Sequence, residues 1–207
     1  MTRKTLIRVA VTLAALLLLL IWFVWAGRAN KFDLPLREAL LAFDPPNAVD
    51  IWRGITFLGS GLVITALTVV CVIIFAARAE WQAARQIIYV MAGAVGVENG
   101  LKWIVHRARP DEVFPHTMPS SYSFPSGHAL FAMAFYISVA MIVGHRLNDK
   151  ARTALWVAAV SLVILIGASR IFLGVHYPSD VMGSYIAAGL WIVLLQLPFG
   201  KYSSAHQ

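Results

Sequence analysis

The sequence predicts an all-α fold, an integral membrane bundle of six transmembrane helices that makes one domain over residues 1–207. Three observations lead there. The chain is 59% hydrophobic and only 13% charged, with a mean hydropathy of +0.73, far from the composition of a soluble domain. Charge-free runs suited to a bilayer occupy residues 9–27, 55–77, 129–144, 153–169 and 181–200, and a sixth at 86–101 is broken only by Glu98. No internal repeat or low-complexity tract divides the chain, and its length suits a single domain.

The first run follows Arg3, Lys4 and Arg8 and ends near Ala26-Gly27, which superficially matches a secretory signal. Its apolar core exceeds the roughly 7–15 residues of such a signal, and no cleavage triplet follows, so it reads as a retained helix. The connector at 28–53 contains the stretch 34–43, with two open readings: a short helix in the membrane interface ended by Pro45-Pro46, or a plain connector. The second run holds Cys71, the single cysteine, read as a small packing residue with no disulfide framework around it. The runs at 129 and 153 are shorter than the roughly 20 residues a span needs, so their polar ends must belong to the helices. The connection at 110–125 spaces Phe114, Met118, Tyr122 and Phe124 among Pro and Ser. These side chains either rest on the membrane surface and admit a lipid tail, or cap the bundle.

The net charge of +7 is spread over loops, with no Lys/Arg cluster interleaved with aromatics, so nucleic acid is not the expected partner. Membrane lipids and phosphates fit better. With the N-terminus cytoplasmic, nine of the 17 basic residues fall on that side and eight on the other. Setting aside Lys102, Arg109 and Arg170 as site residues leaves nine against five, which places both termini inside. The polar motifs, at the ends of the third to sixth spans, then share the extracytoplasmic face.

Those motifs carry the chemistry. Arg109 lies seven residues after Lys102, a spacing that returns nearly to one helix face, and Pro110 ends the helix near the water boundary. Glu98, four residues before Lys102, can pair with it along the helix and support it from behind. Pro125, Ser126, Gly127 and His128 open the fourth span, where free backbone N–H groups and the positive helix end suit an anion. His128 adds a group that gives and takes protons near neutral pH. Arg170 closes the fifth span, and His176 precedes Asp180 by four residues, close enough for a carboxylate to hold the imidazole if the segment turns. Cations and a paired histidine together suit attack on a phosphate ester. Zinc is the main rival, disfavoured because Lys and Arg repel a cation and a third well-spaced ligand is missing.

The three motifs together resemble the type 2 phosphatidic acid phosphatase (PAP2) family, the membrane branch of a superfamily that includes vanadium haloperoxidases. Lys102 through Pro110, Pro125 through His128, and Ser169 through Asp180 match its three signature motifs in order. The resemblance implies a six-helix membrane enzyme without a cofactor. It implies His176 as a nucleophile forming a phosphohistidine, Asp180 as its orienting carboxylate and His128 as general acid and then base. Lys102, Arg109, Arg170, Ser126 and the Gly127 backbone would hold the phosphate oxygens. Implied substrates are lipid phosphates or diphosphates, with undecaprenyl diphosphate ranked ahead of phosphatidylglycerol phosphate and phosphatidic acid, in a bacterial inner membrane. A lipid phosphotransferase and a non-catalytic phospholipid binding or transport protein remain as alternatives. Oligomeric state is not legible.

Overall fold

The computed structural model describes residues 2–42, 48–111 and 120–199. Eight α-helices and no strands occur among the described residues: α1 Arg3–Trp25, α2 Asn30–Leu41, α3 Ala48–Phe57, α4 Gly61–Ala77, α5 Trp81–Val105, α6 Gly127–Gly144, α7 Asp149–Phe172 and α8 Pro178–Phe199. Pro45, Pro46, Phe114, Met118 and Lys201 lie outside the described residues.

Local chemistry sets several of the ends. Thr2 and Asn148 accept hydrogen bonds from the backbone of Thr5 (3.2 Å) and Ala151 (3.0 Å), capping α1 and α7. Ser60 caps α4 in the same way, accepting from Val63 N at 3.3 Å. The second apolar run is therefore two helices, with a break at 58–60 between α3 and α4. α5 stops at Val105 because His106 adopts a left-handed conformation, φ 50°.

The stretch after the first span is helical: α2 occupies it, with Phe32, Leu34 and Leu36 exposed and Asp33 completely buried. α7 begins at Asp149 and ends beyond Arg170, so the polar ends of that short run do belong to its helix.

Among the described residues, five helical segments are long and apolar enough to cross a membrane: α1, the joined α3–α4 stretch, α6, α7 and the residues Pro178–Leu197 of α8. α5 is long enough at 25 residues, but it carries Arg85, Glu98 and Lys102 and is not among the five. Large apolar side chains point outward along the bundle, with Leu18 67% and Leu62 76% exposed, as expected where lipid is the solvent. This is an integral membrane protein.

Inside, α6 is central, packing against α5, α7 and α8, while α1 lies along α8. Its inward face is small: Ala129, Ala132, Ala134 and Ala140 have no exposed surface. Lipid is as apolar as leucine, so helices in a bilayer gain mainly from close contact, and small residues allow it. Phe124, between α5 and α6, is fully buried in the core formed with Leu17, Val90 and Leu130. It caps the bundle instead of facing lipid, whereas Tyr122 is exposed and packs edge-on to His106, 4.5 Å between ring centroids.

Candidate active site

Four helix ends meet at one end of the bundle: the C-termini of α5 and α7 and the N-termini of α6 and α8. α5 supplies Glu98 and Lys102, whose carboxylate and ammonium lie 2.6 Å apart, as the four-residue spacing predicts. Helical spacing does not bring Lys102 and Arg109 together, contrary to expectation. The helix has ended at Val105, and Arg109 stands in the non-helical chain beyond it. The two cations converge through Ser121: Lys102 Nζ donates to its hydroxyl at 3.1 Å, and Arg109 donates to its carbonyl (2.7 Å) and hydroxyl (3.2 Å).

Ser126 N-caps α6, yet its side chain makes no capping bond. Its buried hydroxyl has no hydrogen-bond partner within the protein, and neither has Nε of Arg170. Arg170 Nη1 is held by Thr56 of α3 at 2.9 Å. A Cβ at Gly127 would lie 2.9 Å from Glu98 Oε1, so a side chain there would displace an oxygen already engaged by Lys102. His128, half-buried, sits within electrostatic reach of Arg170, His176, Arg109 and Lys102.

Between α7 and α8 the chain reverses at Gly174, whose φ of 74° favours glycine. That turn presents His176, 2% exposed, to Asp180. His176 Nδ1 lies 3.4 Å from Asp180 Oδ2, and Nε2 lies 3.1 Å from Arg109 Nη1. A guanidinium only donates, so Nε2 must accept and the ring proton belongs on Nδ1, facing the carboxylate. The Nε2 lone pair is thereby left on the cation side of the ring. Asp180 is saturated: Ser123 Oγ donates at 2.5 Å, Tyr177 N at 2.9 Å and Arg107 Nη1 at 2.7 Å.

Outside the spanning helices, burial pushes His176 down to about 4 despite the opposing Asp180 hydrogen bond and charge; Arg170 and Arg109 add to the fall. Burial likewise lowers Arg109. Burial opposes the charge of Arg107 as well, but Asp180 and Asp33 outweigh it and raise this group. Among the described residues, no three His, Cys, Asp or Glu side chains cluster as metal ligands.

All nine residues singled out from the sequence thus stand around one end of the bundle. Sequence reasoning missed Arg107, Asp33, Ser121, Ser123, Ser179 and Thr56. Arg107 and Asp33 had a usable signal, being charges in a chain with few of them. The serines had none, because their partners are set by the fold.

Cations, a buried His176–Asp180 pair and two unsatisfied buried donors at one end of a lipid-facing bundle suit one class, a membrane phosphatase. Residues 83–202 match the PAP2 superfamily, and the chain belongs to it. It is 27% identical over 194 residues to phosphatidylglycerophosphatase B of Bacillus subtilis (strain 168), covering 92% of this chain and 94% of that protein. It is 35% identical over 164 residues to decaprenylphosphoryl-5-phosphoribose phosphatase of Mycobacterium tuberculosis (strain ATCC 25618 / H37Rv), covering 75% of this chain and 84% of the relative. The crystal structure of a transmembrane PAP2-type phosphatidylglycerolphosphate phosphatase from Bacillus subtilis superposes with a TM-score of 0.84 at 27% identity, covering 96% of this chain and 98% of that one.

Proposed function

We propose that the protein removes phosphate from a lipid phosphate or diphosphate without a metal, through a phosphohistidine on His176. The observation that carries this reading is the pairing of an accepting His176 Nε2 with two unsatisfied buried donors, Ser126 Oγ and Arg170 Nε. A phosphate oxygen is what those donors lack. Nε2 attacks phosphorus as the bond to the leaving oxygen breaks, while the Nδ1 proton stays against Asp180, which stabilises the imidazolium that forms. His128 delivers a proton to the leaving oxygen and then takes one from the water that hydrolyses the phosphohistidine. Lys102, Arg109, Arg170 and the N–H groups at the start of α6 neutralise charge that builds on the phosphoryl oxygens. Glu98 holds Lys102 in place.

The chain works as a single domain with α5 as its sixth span, because a helix of 25 residues is long enough to cross a bilayer and its Glu98 and Lys102 pair with each other at the site end. Both termini are cytoplasmic, and the site opens to the outer leaflet of a bacterial inner membrane. Undecaprenyl diphosphate is the favoured substrate on topology and size, and the similarity to a decaprenyl-lipid phosphatase is in keeping with a polyprenyl chain. Phosphatidylglycerol phosphate is the alternative, supported by the match of the Bacillus phosphatidylglycerophosphatase along nearly the whole chain.

The test is phosphate release by the purified protein in detergent with EDTA, across undecaprenyl diphosphate, phosphatidylglycerol phosphate and phosphatidic acid. Release should persist in EDTA and vanish in His176→Ala, and the fastest substrate identifies the class. Undiminished turnover in His176→Ala removes the phosphohistidine. Labelled phosphate arriving on a second lipid in place of solution makes the protein a phosphotransferase.

A further inference from the structure

We infer that Asp33 and Arg107 form a positioning pair that sets the charge Asp180 presents to His176. The inference rests on the proposed roles of His176 and Asp180. Asp33 belongs to α2, far from the three motifs in sequence, and has no exposed surface. Its Oδ2 accepts from Arg107 Nη2 at 2.7 Å and from Ser179 Oγ at 2.6 Å, and its Oδ1 accepts from Ser179 N at 2.8 Å. The other amino group of Arg107, Nη1, donates to Asp180 Oδ1 at 2.7 Å and to Ser179 Oγ at 2.6 Å. Tyr177 stacks under the guanidinium, 4.0 Å from its centre, and Asn30 Oδ1 accepts from Nη2 at 3.4 Å.

Arg107 thus bridges two buried carboxylates, one on α2 and one at the start of α8. Fastening α2 to the bundle does not require this. Buried ions cost desolvation, and apolar contacts join helices as well or better. The array acquires a purpose when its charge is counted. Asp180 and Arg107 alone cancel, leaving His176 beside a neutral pair. Asp33 restores one net negative charge, and the imidazolium that forms at His176 during attack is stabilised by it. The other charged or titratable groups facing His176 are Arg109 after α5, His128 on α6 and Arg170 on α7. They belong to the phosphate pocket and are untouched by changes at Asp33.

This makes the acid limb of the pH profile a reporter, because His176 attacks only when unprotonated and kcat/KM follows the free enzyme. Less negative charge lowers the imidazole pKa and moves the limb to lower pH; more negative charge raises it. The full chain in detergent is assayed for phosphate release from a short-chain phosphatidic acid, with gel filtration and thermal unfolding to verify folding. Asp33→Asn should move the limb down by about one pH unit and lower kcat roughly tenfold, with KM little changed. Arg107→Gln should move the limb up, and the double variant should bring it back toward the native position. A limb that stays in place in folded Asp33→Asn and Arg107→Gln overturns the inference. Should Asp33→Asn not fold, Arg107→Gln alone decides. His176→Ala is the control: its inactivity beside an unmoved limb defeats this inference alone, whereas its activity defeats the phosphohistidine reading as well.

Discussion

Ser126 shows how one residue can be placed by a helix yet serve something else. Serine at an N-cap ordinarily accepts a backbone hydrogen bond worth about 1 kcal/mol. Here the hydroxyl makes no such bond and is buried without a partner, so its removal costs the helix little. Ser126→Ala should leave the thermal unfolding midpoint nearly unchanged while lowering kcat/KM roughly 10- to 100-fold, a donor's worth of oxyanion stabilisation. A clear loss of stability without loss of rate would return the residue to a capping role. His176 is the complementary case. Its burial favours the neutral ring, and the Arg109 contact decides which nitrogen carries the lone pair.

At the scale of elements, the two ends of the bundle separate stability from chemistry. α7 begins with a conventional cap, Asn148, which is exposed at the end remote from the site, and finishes with Arg170 in the pocket. Asn148→Ala should destabilise the fold by about 1 kcal/mol, seen in thermal unfolding, with kcat/KM unchanged at temperatures where the protein stays folded. Lost activity in folded protein would mean that the helix transmits change along its length. α5 is the element whose behaviour departs most from its sequence. Its periodicity runs through Arg109, but the left-handed turn at His106 ends it early and lets Arg107 point toward α2 while Arg109 points toward His176.

Across the whole molecule, the gathering of helix ends makes orientation decisive, since a pocket at one end serves only the leaflet it faces. Trp103 is 74% exposed near the pocket end of α5, and Lys150 is exposed near the start of α7 at the other. In a Cys71→Ser background, Trp103→Cys should react with a membrane-impermeant maleimide in intact cells, and Lys150→Cys only after permeabilisation. The reverse pattern would place the site in the cytoplasm.

Hydropathy alone was enough for the all-α membrane architecture, because in a bilayer every backbone group must be satisfied within a helix or a closed barrel and long apolar runs select the helix. The three motifs were equally plain, since polar groups amid so much apolar sequence stand out, and the Glu98–Lys102 pair followed from spacing within one helix. What only the tertiary structure decided was how the motifs meet and what stands behind them. The break between α3 and α4, the early end of α5 and the seating of Asp33 against Arg107 and Ser179 all depend on contacts between residues distant in sequence. Local periodicity carries no record of such contacts, because they arise from packing one helix end against another.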